Sequence, residues 1–321
     1  MKRIPILLLA ASVLAASLTA CGSPAASSSS APPSSAPSSA FQGYTLTDDL
    51  GRTVTVEQPE RVAALIGSFA DVWCLAGGQD TLVAAAHDAW TSFDLGLSDT
   101  VADLGAVKEP NLEVLLVAQP DFILASCNTT ADLELESTFE SAGIPTAYFD
   151  IQSFDDYLNM LKICTDLTGC PENYETYGLQ VQEQVEAAKA RQDGSAPTVL
   201  TIRATGSSCK VKGSSDFLLG EMLADLGCVN VADSETSLLE ELSLEAILAA
   251  DPDYIFVVLQ GSDATDAQKT LEKTLLSNPA WGALRAVREG RFHTLEHSLY
   301  NLKPNARWGE AYEKLSDILY P

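Results

Sequence analysis

An internal repeat constrains the fold of this chain more than any other feature of its sequence. Residues 111–126 return as residues 243–258 at a constant offset of 132, with seven of sixteen positions identical. In each copy a polar residue, Asn111 or Ser243, precedes an apolar run that ends at a proline. That order is typical of a capped short helix followed by a buried strand. Two copies therefore predict two lobes of similar construction.

Short β-prone runs alternate with helical patterns on both sides of the chain's midpoint. The expected strands are 62–66, 82–86, 122–125, 146–149, 199–203, 254–259 and 292–295. The expected helices are 70–76, 112–118, 133–142, 217–226, 244–249 and 306–319. This alternation predicts parallel sheets covered by helices, and a hairpin signal at 44–56 precedes it.

A stretch of different character separates the two sets. In Glu172–Arg191 apolar residues recur at spacings of three and four, which predicts one continuous helix about 30 Å long. Pro171 suits its first turn, and the Asp193-Gly194 pair stops it. We therefore predict an α/β protein with two Rossmann-like lobes joined by one long connecting helix. The expected domains are a lobe at 44–153, a helical connector at 154–193 and a lobe at 194–321.

The N-terminus predicts export. Lys2 and Arg3 precede an apolar run that is too short for a stable membrane span, so residues 1–20 are expected to be a signal peptide. The run ends at Cys21 in a sequence that resembles the bacterial lipobox, which implies lipidation of that cysteine. A secreted protein with a chance cysteine is the alternative. Residues 21–43, rich in Ser, Pro and Ala, are expected to be a lipid-anchored linker.

Charge and motifs exclude several classes of function. The chain has 44 acidic and 19 basic residues, and loss of the signal peptide takes the formal net charge from −25 to −27, so nucleic acid is not an expected partner. No nucleophile elbow, phosphate loop or dinucleotide glycine pattern is present, so we expect no enzyme. Six cysteines remain after Cys21, without a CxxC motif.

Together, the repeat, the connecting helix and the leader resemble the substrate-binding proteins of iron-complex and cobalamin ABC importers. The resemblance implies a monomer outside the cytoplasm, lipid-anchored to the cell membrane, that captures a ferric siderophore-like complex and delivers it to a permease dimer. It implies that Glu113 and Glu245, one in each repeat, pair with basic residues of the permease. Local physics also allows a simpler role, because a carboxylate is favoured in the first turn of a helix.

Polar and aromatic residues that follow the strands are the candidate ligand site, because ligands of open α/β sheets bind beyond the carboxyl ends of the strands. The segment 300–308 is the most basic of these, since it leads donors and positive charge into a helix N-terminus. We expect no resident cofactor, and an anionic metal chelate as ligand: a ferric siderophore, or alternatively a tetrapyrrole (haem or a corrinoid such as cobalamin). The expected contacts are Phe69, Trp90, Arg203, Lys210, Tyr300, Lys303 and Arg307.

Related two-lobed proteins bind bare Zn²⁺ or Mn²⁺ through several histidines. This chain has only His87, His293 and His297. Neutral surface or core histidines explain all three more simply than a metal site, so we expect no metal ligands.

Overall fold

The computed structural model describes residues 43–261 and 264–321. Within the unit Phe41–Pro321 these residues form one compact body. The predicted signal peptide, Cys21 and all but the end of the predicted linker lie outside the described residues. No helix in the described part of the chain is long and apolar enough to cross a membrane.

The chain opens with the predicted hairpin, β1 (Tyr44–Thr47) and β2 (Thr53–Val56), which pair antiparallel. Its turn is held by Asp48, whose buried carboxylate lies 2.6 Å from the Arg52 guanidinium. Gly51 takes a φ of +77°, a conformation that favours glycine. The Asp49 N–H donates to the Tyr148 carbonyl at 3.0 Å, so the hairpin is attached to the first lobe.

The first lobe is a parallel sheet of five strands in the order β5-β4-β3-β6-β7. Its strands are β3 (Val62–Ala64), β4 (Leu82–Ala85), β5 (Ala102–Asp103), β6 (Phe122–Ser126) and β7 (Thr146–Phe149). Its helices are α1 (Gly67–Leu75), α2 (Asp88–Thr91), α3 (Leu112–Val117), α4 (Thr130–Glu134) and α5 (Glu136–Ala142). The single helix predicted at 133–142 is wrong, since two helices meet at Leu135 instead.

The connector consists of α6 (Phe154–Thr168), α7 (Pro171–Tyr174), a π-helical turn at Glu175–Leu179 and α8 (Gln180–Lys189). From Pro171 onward the helix is continuous, as predicted, except that the π turn widens it. Gly178 lies at this turn, where an added β-carbon would approach the Tyr174 ring to 3.2 Å. The Tyr157 hydroxyl donates to the Tyr177 carbonyl at 2.8 Å, so the widened turn is held by α6.

The second lobe repeats the plan with strands in the order β10-β8-β11-β12, all parallel, while β9 pairs antiparallel with the free half of β8. Its strands are β8 (Thr198–Ala204), β9 (Cys209–Lys212), β10 (Val229–Asn230), β11 (Tyr254–Leu259) and β12 (Phe292–Leu295). Its helices are α9 (Leu218–Asp225), α10 (Val231–Ser234), α11 (Ser237–Glu240), α12 (Leu244–Ala250), α13 (Ala264–Leu271), α14 (Arg285–Arg288), α15 (His297–Tyr300) and α16 (Trp308–Leu319). The two repeats are α3 with β6 and α12 with β11.

One apolar core extends through both lobes and the connector. It contains the ring of Phe69 from the first lobe, Tyr157 and Val185 from the connector, and Phe256 and Trp308 from the second lobe. Separate clusters fill the outer side of each sheet. The Ser316 hydroxyl also donates to the Ala188 carbonyl at 3.1 Å, which ties α16 to α8. The lobes are therefore packed on a shared helical layer.

Candidate functional site

The two repeat helices present equivalent carboxylates. Asn111 Oδ1 accepts from the Val114 N–H at 3.1 Å, and Ser243 Oγ accepts from the Ala246 N–H at 3.3 Å, so both predicted caps are confirmed. Glu113 and Glu245 follow in the first turn and are exposed. Neither carboxylate forms an ion pair within the described residues. Both are therefore available to an external cation.

Three cations share one face of the second sheet. Arg203, the next-to-last residue of β8, lies directly opposite Lys210 of β9, and Lys212 is opposite Thr201. Directly opposed residues point to the same side of a sheet, so the three charged side chains share the face that carries Thr201. The intervening residues, such as Ile202, face the apolar cluster on the other side.

The charges of these three residues are balanced only in part, by Asp216, which acts on Lys212 without forming an ion pair. Across 43–261 and 264–321, no Asp or Glu lies within ion-pair distance of Arg203, Lys210 or Lys212. Burial lowers the pKa of Lys212, and the charges of Arg203 and Lys210 lower it further, while Asp216 opposes them. The carboxyl end of β8 is therefore a positive patch in an acidic protein, and it lies at the edge where ligands of such sheets bind. We call Arg203, Lys210 and Lys212 the basic cluster.

The cations of the segment 300–308 are less available to an anionic ligand than the sequence predicts. Arg307 lies 3.1 Å from a Glu296 oxygen and 2.7 Å from a Glu310 oxygen, and hydrogen bonding to Arg307 and then Lys314 lowers the pKa of Glu310 to about 2. Arg307 is thus neutralised by two carboxylates and is not a free anion-binding charge. Lys303 is half-buried, and burial lowers the pKa of its ammonium group.

A cavity of about 210 Å³ lies between the lobes beside this segment. Lys303 and Leu302 line it from the second lobe, and Asp71 and Phe93 line it from the first. Next to it, Asn305 is buried, and its amide donates to the Ser68 carbonyl at 2.9 Å and to Asp71 Oδ2 at 2.7 Å. Asn305 therefore joins the two lobes, a role that its position in the sequence did not indicate.

The structure places two of the predicted aromatic contacts in the core. Phe69 has no exposed surface and packs edge-on to Phe149 with ring centroids 6.1 Å apart. Tyr300 is also buried, with its hydroxyl donating to the Ala311 carbonyl at 2.9 Å. Phe69, Val72 and Trp73 have the spacing of a helical core stripe, which could have identified Phe69 as a core residue. Neither ring offers a flat surface to a ligand, whereas Trp90 on α2 is only half-buried.

The three histidines lie in different surroundings. His87 Nδ1 is 2.7 Å from Asp103 Oδ2, His293 stacks on Phe256, and His297 Nε2 is 3.1 Å from the Asn301 amide nitrogen. Within the described residues, no three His, Cys, Asp or Glu side chains gather in a way that could hold a metal ion.

Two α/β lobes on a shared helical layer, with a charged patch at the carboxyl edge of one sheet, define a two-lobed solute-binding protein of the type found outside the cytoplasm. The chain belongs to the periplasmic binding protein family, whose sequence model matches residues 62–299.

Individual relatives agree with this assignment. The chain is 25% identical over 225 residues to the iron-uptake system-binding protein of Bacillus subtilis, covering 68% of this chain and 67% of that protein. It resembles the structure of Staphylococcus aureus SirA complexed with staphyloferrin B, with a TM-score of 0.66 and 24% identity over 86% of this chain and 97% of that one. A periplasmic haem-binding protein from Pseudomonas aeruginosa matches with a TM-score of 0.64 and 25% identity, covering 82% and 93%.

Proposed function

We propose that this chain captures an anionic iron chelate and delivers it to the permease of an ABC importer. The observation that carries the proposal is the basic cluster. Nine of the 17 Lys and Arg residues in 43–261 and 264–321 form ion pairs with carboxylates, as Arg307 does. Arg203, Lys210 and Lys212 form none and lie together at the carboxyl end of β8. Leaving three like charges together costs free energy, which an anionic ligand recovers through charge-assisted hydrogen bonds.

The charge of the ligand separates the candidate chelates. Ferric complexes of citrate or of catecholates are anionic, and haem carries two propionates, whereas cobalamin has no comparable negative charge. The iron-uptake relative and the complex with staphyloferrin B support the first class. Haem is the second candidate, because Trp90 keeps part of its ring exposed on α2 and the Pseudomonas neighbour binds haem.

We attribute delivery of the chelate to the permease to the exposed glutamates of the two repeat helices. Glu113 and Glu245 are exposed, unpaired and equivalent by the repeat, so each lobe offers one carboxylate to one half of a two-fold permease dimer. Such pairs at a rim set register and association rate more than affinity. A lipid on Cys21 would hold the protein at the same membrane and raise its effective concentration at the permease.

Two variants test the two parts of the proposal separately, one for ligand binding and one for docking on the permease. The triple variant Arg203→Gln, Lys210→Gln, Lys212→Gln is expected to bind ferric citrate or haemin at least tenfold more weakly, measured by quenching of Trp fluorescence. A tenfold loss corresponds to about 1.4 kcal/mol, which is modest for three charged contacts. Its matched control replaces the exposed cations Lys108, Lys273 and Arg288 by Gln, which lowers the net charge equally.

The variant Glu113→Lys, Glu245→Lys is expected to keep wild-type affinity and to abolish chelate uptake by cells. The exposed pair Glu57→Lys, Glu183→Lys serves as its control. Loss of affinity in the Glu113/Glu245 variant would refute docking. Equal weakening by the two cation triples would show that only net charge matters and would refute the ligand site.

A further inference from the structure

An open groove of about 530 Å³ runs along α3 in the first lobe. Val114 and Val117 line it from the helix, and Leu82 and Val83 line it from β4. Its walls are therefore mainly aliphatic. Glu113, the carboxylate that we assign to permease docking, lies at the end of the groove where α3 begins.

The helix itself orients these side chains. Residues four apart on a helix share a face, with their β-carbons about 5–6 Å apart, so Glu113 and Val117 lie side by side along the groove. Val114 and Ala118 form the adjacent stripe and also line it. At the far end the Arg61 guanidinium donates to two carbonyls at the end of α3, so this wall of the groove is held in place.

The apolar side chains beside Glu113 are open to solvent. Val117 keeps 77% of its surface exposed, and Leu116 keeps 41%. Among the exposed large apolar residues in 43–261 and 264–321, these two are the only pair adjacent in sequence. Exposed apolar side chains that cluster beside a charge are typical of an interaction surface, whereas single ones are common on any protein.

The second repeat presents a smaller apolar surface. At the offset of 132, Ala246 and Ala249 occupy the positions of Val114 and Val117. Both lobes therefore present a glutamate, but the helix of the first lobe carries larger apolar side chains beside it. The two lobes are alike in charge and unlike in the contact that surrounds the charge.

Charge distinguishes the possible occupants of the groove. Glu113 and Asp80 border it, while the Arg61 guanidinium is engaged by the helix carbonyls. A second copy of this chain, whose formal net charge is −25, would bring the same carboxylates against the first across a two-fold axis. An anionic lipid surface would be repelled in the same way. A protein segment with a basic side chain for Glu113, and an apolar side chain about 6 Å from it, fits both the charge and the groove.

We propose that the groove along α3 receives an apolar side chain from the same permease segment whose basic residue pairs with Glu113. This deepens the proposed function and rests on it. A charge pair at an exposed rim adds little affinity in water, whereas an aliphatic contact that excludes water holds a complex together. Glu113 and Glu245 then set the register, and Val117 supplies the contact that keeps the first lobe docked.

The test measures uptake of ferric citrate and of haemin by cells that produce the full chain together with its importer. Val117→Gln is expected to lower the uptake rate at least fivefold, while thermal unfolding and chelate affinity, measured by quenching of Trp fluorescence, stay unchanged. Val117→Ile keeps the apolar contact and is expected to keep wild-type uptake. Val229→Gln makes the same replacement at another exposed valine and should also have no effect.

Photocross-linking in the same cells identifies the occupant. A benzophenone side chain introduced at position 117 is expected to form an adduct with the permease, identified by mass spectrometry. The same group at position 229 is expected to form none. An adduct of position 117 with a second copy of this chain, or with lipid, would overturn the assignment of the groove to the permease.

The uptake results separate this proposal from the proposed function. If Val117→Gln transports at the wild-type rate while the variant Glu113→Lys, Glu245→Lys does not transport, the groove is refuted and docking by the glutamates stands. If the glutamate variant also transports at the wild-type rate, the proposed docking fails and the groove fails with it.

Discussion

Asn305 joins the end of the second lobe to the first helix of the first lobe, and its replacement measures how firmly the lobes are held. Its amide makes two hydrogen bonds, to the Ser68 carbonyl and to Asp71 Oδ2. Its backbone has a φ of +49°, which Asn tolerates better than Ala. Asn305→Ala therefore removes both bonds and places a less suitable residue in the left-handed region.

The magnitude follows from these contacts. The bond to the carbonyl contributes about 1 kcal/mol, the bond to the carboxylate about 1.5–3 kcal/mol, and the backbone change costs about 1 kcal/mol. Removal of the buried Oδ1 atom, which has no partner in the structure, offsets about 1 kcal/mol. The expected loss of unfolding free energy is thus about 2.5–4 kcal/mol at pH 7, or a fall in Tm of roughly 5–15 °C.

The loss should depend on pH. Burial raises the pKa of Asp71, and the hydrogen bond from Asn305 lowers it. Without that bond the pKa of Asp71 rises further in the folded state, so ionised Asp71 destabilises the variant as pH increases. The deficit is expected to be smaller at pH 5 than at pH 7, because a raised pKa makes this carboxyl take up its proton at higher pH than a free one does.

Urea unfolding at both pH values gives the measurement. Asn305→Gly is the companion variant, because it relieves the backbone strain while losing the same two bonds. A deficit below about 0.5 kcal/mol for Asn305→Ala, or one that stays constant with pH, would contradict the reasoning.

Two buried residues give the remaining predictions. Burial raises the pKa of Asp132 to about 7, so the free energy of unfolding is expected to fall as pH rises from 4 towards 7. In thermal unfolding, Asp132→Asn should flatten this pH dependence. The exposed control Asp99→Asn should leave it unchanged. An unchanged slope in the first variant would refute this assignment. Phe69→Ala is expected to lower the free energy of unfolding by about 3–5 kcal/mol, measured with urea, and to leave the ligand affinity of the folded protein unchanged. Weaker binding without lost stability would show instead that Phe69 contacts the ligand.

Much of the fold could be predicted from the sequence. The strands at 146–149, 254–259 and 292–295 have the predicted bounds, because buried parallel strands are continuous apolar runs between turn residues. The missed strands β5, β9 and β10 are short edge strands, two, four and two residues long, that exist through pairing with β4 or β8. Such pairing has no periodic signal of its own.

Less of the candidate site could be predicted. The helix caps and the carboxylates behind them were identified, since capping depends on neighbours in sequence. Phe69 and Tyr300 are buried in the core, because a residue after a strand can point either to the core or to the ligand edge. The sequence gives no sign that Arg307 is neutralised, because its partner Glu296 lies eleven residues earlier and reaches it only through the fold.

The sequence by itself determined two lobes, their sheet type, the connecting helix and the exposed repeat glutamates. All of these follow from local periodicity, from capping and from comparing one part of the chain with another. Only the tertiary structure decided which side chains meet: Asn305 with Asp71, 234 residues apart, and His87 with Asp103. Such contacts depend on how helices and strands pack and in what register, and those relations between distant segments are not encoded in any local pattern.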